Sequence, residues 1–215
     1  LKGCAIATES SAITPVPQST LQARIDSAPQ ISRERWGKIK LLALDVDGVL
    51  TDGSLTFDEQ GRLLQTFHVR DGFALVAARR AGLRIAWISG RASAVAEHRF
   101  RELDLHDCIL ACADKAQAMR QLQMQHGFEP EQCCFVGDDL PDLPAFMNCG
   151  VKVAVADAVP EVLQVADYVT QMRGGRGAVR EVIELILEAQ GQWSVLVDKF
   201  THTDWTQHET ENLQR

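Results

Sequence analysis

The chain has no excess of basic residues: 22 Lys and Arg face 29 Asp and Glu, for a net charge of -7. Without a broad basic field no nucleic acid partner is expected, although a few placed cations and backbone amides can hold a phosphorylated small molecule in one cleft. Paired CxxC spacing is also absent. The six cysteines, Cys4, Cys108, Cys112, Cys133, Cys134 and Cys149, are scattered and mostly lie in apolar runs. They read as buried free thiols rather than as a zinc site built on Cys108 and Cys112. No apolar run reaches the length of a membrane span, and the first residues lack the basic-then-apolar order of a secretory signal. No membrane partner and a reducing cytoplasmic setting are therefore expected. An initiating Met is missing too, which points to a start inside a longer or misassigned chain.

What is present suffices for one core. Of 215 residues, 46% are hydrophobic and 24% charged, which suits a single domain with extensions. Residues 1–37, rich in Ser, Thr, Pro, Gln and Ala, read as a mobile N-terminal extension with one short helix-like stretch at Leu21 to Ile25. The domain spans 38–191, and 192–215 form a loosely held polar tail.

The run from Ile39 to Asp47 is nearly continuous apolar sequence ending in two acids, as expected of a strand buried on both faces of a parallel sheet. Further runs follow at Leu83 to Ser89, Cys108 to Ala111, Cys133 to Asp138, Val151 to Val155 and Tyr168 to Thr170. Between them, helical spacing covers Phe73 to Ala81, Ser93 to Leu103, Asp114 to His126 and Ala178 to Gln190. The alternation predicts an α/β fold: a doubly wound parallel sheet with helices on both faces. Ser54 to Val69 breaks it and reads as a β-hairpin around Asp58-Glu59-Gln60-Gly61.

In such a sheet ligands bind beyond the carboxyl ends of the strands. Four ends are polar here: Asp45-Val46-Asp47-Gly48, Ser89-Gly90-Arg91, Asp114-Lys115, and Gly137-Asp138-Asp139 followed by Asp142. Acids gathered at one crevice repel one another unless a cation joins them, and a hard, oxygen-seeking ion such as Mg2+ suits carboxylates plus a phosphate. Ser89 can donate to a phosphoryl oxygen, and Lys115 offers a point charge to the same group.

These four stretches, in this order, resemble the four motifs of the haloacid dehalogenase superfamily. The resemblance implies a phosphatase in which Asp45 is the nucleophile and forms an aspartyl-phosphate, while Asp47 protonates the leaving group and later activates water. It also implies Mg2+ held by Asp45, Asp138 and the Asp47 carbonyl, charge stabilisation by Ser89 and Lys115, and orienting roles for Asp139 and Asp142. An acid at Asp47, where P-type ATPases place Thr, implies rapid hydrolysis of the phosphoenzyme. Only a hairpin is inserted between the first and second motifs, and only one helix and one strand lie between the second and third, so neither usual cap insertion fits and a capless fold is expected.

Within the superfamily, residues 39–191 are similar to the 3-deoxy-D-manno-octulosonate 8-phosphate (KDO 8-phosphate) phosphatases of lipopolysaccharide synthesis. The similarity rests on Asp52-Gly53, Val69-Arg70-Asp71-Gly72, Ala154 to Ala158, Ala166 to Thr170 and Gly174 to Glu181. It implies a homotetramer whose neighbouring subunits complete the active sites, with the segment 174–177 approaching an adjoining subunit. It implies substrate contacts at Asp47, His68, Val69, Arg70, Asp71, Gly72, Arg91, Arg99 and Lys115. The chain departs from the family at His68, where Asn is frequent, and at Val76, where Arg is frequent. From the residues alone, His68 is equally a surface histidine, Arg99 part of a solvated helix face, Arg180 and Glu181 a helix pair, and 174–177 a turn. Two other functions remain open: a phosphatase of another sugar acid phosphate, and a non-catalytic oligomerisation module of the same fold.

Overall fold

The structure is a computed structural model and describes residues 31–201. The expectations for 1–30, including the stretch at Leu21 to Ile25, and for 202–215 lie outside the described residues.

Six strands form one parallel sheet: β1 (Leu41–Leu44), β4 (Arg84–Ile88), β5 (Asp107–Ile109), β6 (Cys133–Gly137), β7 (Val151–Ala154) and β8 (Tyr168–Val169). Their order is β5-β4-β1-β6-β7-β8. The central strand β1 has every side chain buried and pairs with β4 on one side and β6 on the other, Leu44 lying opposite Trp87 and Val136. Two short antiparallel strands, β2 (Thr56–Phe57) and β3 (Leu63–Leu64), form the hairpin.

The chain steps from β1 to β4 to β5 in one direction, then returns past β1 to β6 and continues to β7 and β8. Right-handed crossovers place the helices of the two runs on opposite faces. On one side α2 (Val69–Arg80) packs on α7 (Ala178–Ala189), which also holds α1 (Arg33–Gly37). In the other run α4 (Lys115–His126) packs on α5 (Leu143–Phe146). The remaining helices are α3 (Ala94–Glu102), α6 (Pro160–Val165) and α8 (Trp193–Thr201).

Three boundaries differ from expectation, each for a packing reason. Helix α2 begins at Val69 rather than Phe73: Gly72 lies inside it, close beneath the Arg99 guanidinium, and does not end the helix. The domain begins before residue 38, since Ser32 caps α1 and Trp36 is buried edge-on against Tyr168 at 5.7 Å. Burying an indole of this kind contributes roughly 3–5 kcal/mol. The segment after Gly191 is helical through 201 and is held at its start, where Arg180 of α7 lies between the rings of Phe73 and Trp193, at 5.7 and 5.5 Å. Among the described residues, no helix is long and apolar enough to cross a membrane.

Candidate active site

Strands β1 and β6 are neighbours whose onward connections leave in opposite directions, which opens a crevice at their carboxyl ends. Asp45 stands immediately after β1 and Asp138 immediately after β6. Ser89 follows β4, and Lys115 is the first residue of α4, which Asp114 caps by accepting the N–H of Gln117 at 2.9 Å. Four separate strand-to-helix turns thus converge because the sheet is parallel and its order reverses at this point.

The centre of the site is a buried charge network. Nζ of Lys115 lies 2.8 Å from Oδ1 of Asp45 and 2.7 Å from Oδ1 of Asp142. The other oxygen of Asp142 accepts the N–H groups of Asp138 at 2.9 Å and Asp139 at 3.3 Å, so Asp142 is fully committed. Asp139 caps the short turn at Leu140–Asp142 through the N–H of Leu140 at 2.7 Å. Carboxylate oxygens of Asp45, Asp138 and Asp142 all lie within 4.8 Å of one another.

Three carboxylates against one ammonium leave a net negative centre. Burial, then repulsion from Asp142, outweighs Lys115 and pushes Asp45 up to about 6. Burial, then Asp45, Asp142 and Asp139, pushes Asp138 up to about 8. Lys115 stays charged: burial works against its ammonium, but Asp45 and Asp142 together raise its pKa. Oδ1 of Asp138 is buried and has no hydrogen-bond partner among the described residues. A buried, unpartnered carboxylate oxygen beside a second acid is a donor set for a hard dication, and the all-oxygen ligands fit Mg2+ rather than a thiophilic metal. The five described cysteines are free.

Around this centre, Ser89 is buried and its Oγ accepts the N–H of Arg91 at 3.1 Å, which leaves its own hydrogen available to an incoming oxyanion. Asp47 is half-buried: its Oδ1 accepts from Nε2 of Gln65 at 2.7 Å, and its Oδ2 lies 3.6 Å from Nε of Arg91. Gln65 in turn accepts from Oγ of Ser93 at 2.5 Å. Ser93 is legible in the sequence only as the cap of its helix, and Gln65 does not stand out, because a Gln beside a hairpin strand carries no motif.

The glycine-rich segment lies against its own chain's catalytic turn. A Cβ on Gly174 would fall 1.6 Å from the carbonyl oxygen of Gly48, Gly175 donates to the Val49 carbonyl at 2.8 Å, and Arg176 pairs with Asp52 at 3.0 Å. Within the chain, these glycines serve close backbone approach to the catalytic turn.

The expected substrate contacts divide. Arg91, Arg70 and Val69 are exposed, Arg91 beside Asp47. Asp71 is buried and accepts the N–H groups of Gly177 and Arg180, so it caps α7. His68 lies 3.8 Å from Asp71. Gly72 is buried beneath Arg99, which pairs through Nη1 with Glu102 at 2.8 Å. Val76 packs on the core. Arg180 pairs with Glu184, at 2.6 Å, rather than with Glu181, which accepts from the Tyr168 hydroxyl at 2.7 Å.

A doubly wound parallel sheet with this acid, serine and lysine constellation at its switch point defines a haloacid dehalogenase-type hydrolase. A family described as haloacid dehalogenase-like hydrolase matches residues 105–183. The 3-deoxy-D-manno-octulosonate 8-phosphate phosphatase KdsC of Haemophilus influenzae is 41% identical over 163 residues, covering 76% of this chain and 91% of that protein. The chain belongs to the KDO 8-phosphate phosphatase family. Among solved structures, the Moraxella catarrhalis phosphatase in complex with magnesium, phosphate and KDO superposes with a TM-score of 0.76 at 39% identity, covering 78% of this chain and 97% of that one. The cobalt-bound Haemophilus influenzae phosphatase gives 0.74 at 40% identity, covering 78% and 99%.

Proposed function

We propose that this chain is a magnesium-dependent phosphatase that hydrolyses KDO 8-phosphate to KDO and phosphate through an aspartyl-phosphate on Asp45. The carrying observation is the meeting of Asp45, Asp138 and the Lys115–Asp142 pair at the switch point, with an unpartnered Asp138 oxygen. Asp45, Asp138 and the Asp47 carbonyl are the groups that would hold the metal. When bound, Mg2+ neutralises charge on the phosphoryl oxygens and orients them for in-line attack.

The remaining steps belong to the chain's own residues. An Asp45 oxygen attacks phosphorus as the bond to the sugar oxygen breaks, and Asp47 gives its proton to that oxygen. Asp47, now ionised, takes a proton from water, which attacks the aspartyl-phosphate and regenerates Asp45. Lys115 and the Ser89 hydroxyl stabilise charge on the transferring group. Arg91 and Arg70 supply exposed guanidinium forks suited to the substrate carboxylate.

The site has no cap among the described residues, and a neighbouring copy is the proposed cover. The exposed apolar side chains of Leu55, Phe57 and Leu64 on the hairpin support a homotetramer, which sedimentation velocity tests.

The activity is tested by phosphate release from KDO 8-phosphate with magnesium and with a chelator, for the native chain and Asp45→Asn. Turnover should require both the metal and Asp45. Comparable rates in chelator, or in Asp45→Asn, would sink the proposal. Comparing kcat/KM with other sugar acid phosphates and simple esters measures selectivity.

A further inference from the structure

We infer that Gln65 is a positioning residue for Asp47, with its amide polarity set by Ser93, so that one defined oxygen of Asp47 carries the proton to the leaving group. The inference rests on the phosphatase reading above. The hydroxyl of Ser93 caps α3 by accepting the N–H of Ala96 at 3.1 Å. Its single hydrogen is therefore free for its other neighbour, Oε1 of Gln65 at 2.5 Å. With Oε1 engaged, the Gln65 amide can present only N–H to Asp47, and it does so at 2.7 Å from Oδ1. A flipped amide would set two acceptors, Oε1 and a carboxylate oxygen, against each other.

The consequence is chemical. Oδ1 of Asp47 is held by the Gln65 amide, so Oδ2, on the side where Arg91 stands at 3.6 Å, is the oxygen left to face the leaving group. A carboxyl group free to rotate would present either oxygen, and much of its time would be spent in unproductive geometry. The hairpin thus reaches the chemistry. Its stem is anchored because Phe67 stacks on buried Trp87 at 5.9 Å, which fixes where Gln65 can lie.

The test uses the full chain with magnesium and two esters. KDO 8-phosphate releases a poor alkoxide that needs Asp47's proton, whereas p-nitrophenyl phosphate releases a phenolate stable enough to leave unaided. For Gln65→Leu, kcat/KM on the sugar ester should fall about 10–100-fold and on the aryl ester by less than about 3-fold. Ser93→Ala should fall in the same selective way and Ser93→Thr should recover, with melting curves confirming that each variant is folded. Equal losses on both esters, or none, would overturn the inference while leaving the phosphatase reading intact. If the native chain hydrolyses neither ester, both fail.

Discussion

Oδ1 of Asp71 accepts the backbone N–H of Arg180 at 2.8 Å, joining residues 109 positions apart. With Oδ2 on the N–H of Gly177 at 3.1 Å, one carboxylate from α2 satisfies two of the free amides at the start of α7. Asp71→Ala should destabilise the fold by about 2 kcal/mol, because the lost acceptor leaves buried donors unpaired. Asp71→Asn should cost less, since its amide oxygen can still cap one N–H. Urea unfolding measures both. Below the melting range KM for the substrate should be unchanged, and a raised KM with native stability would return Asp71 to the binding surface.

Lys115 is the only cation bonded to the buried pair Asp45 and Asp142 among the described residues. Lys115→Met removes the partner and leaves the acids, an arrangement that costs about 3–5 kcal/mol. It should also lower kcat about 100-fold or more through lost charge stabilisation. Adding Asp142→Asn should recover part of the stability but none of the rate, which a double-mutant cycle of unfolding and turnover would separate. Lys115→Arg should not rescue turnover, since a planar fork cannot replace a compact ammonium between two carboxylates.

Stability without metal should fall as pH rises. Asp45 and Asp138 have an ordinary value of 3.8 and are raised in the fold to about 6 and about 8. Between those limits the folded chain keeps protons that the unfolded chain releases, so unfolding gains ground with increasing pH and levels off above about pH 8. Added magnesium binds the deprotonated folded form and opposes this trend. The increase in melting temperature on adding magnesium should therefore be larger at about pH 8 than at about pH 5, as read by calorimetry. Equal increases at both would contradict the assignment of these acids as its ligands.

The strands were legible because each is an apolar run bounded by polar turn residues, and β1, buried on both faces, ends directly at Asp45. Parallel order then brings Asp45, Ser89, Lys115 and Asp138 together, so spacing along the chain was enough to nominate them. What stayed hidden depends on contacts between distant segments. The close approach of Arg99 to Gly72 joins two separate helices, and the cap that Asp71 gives α7 spans 109 positions, so neither has a local pattern. Trp36 and Trp193 sit in polar stretches whose composition suggests a tail, yet each rests on one specific aromatic or guanidinium partner.

Gly48 packs directly on a carboxylate of the site. It has φ +90°, and a Cβ there would lie 2.1 Å from Oδ2 of Asp138. Two effects are therefore combined in Gly48→Ala: backbone strain, about 1–2 kcal/mol for an L-residue with positive φ, and displacement of a carboxylate. Gly61 separates them, because it has φ +74° at the hairpin turn with nothing within 4 Å of its would-be Cβ. Gly61→Ala should lose about 1 kcal/mol of stability and keep both turnover and the response to magnesium. Gly48→Ala should lose about 100-fold in kcat and most of the magnesium-induced rise in melting temperature, since Asp138 can no longer sit beside Asp45. If the two alanine variants behave alike, the glycine serves the turn alone and the close packing of Gly48 on Asp138 carries no part of metal binding.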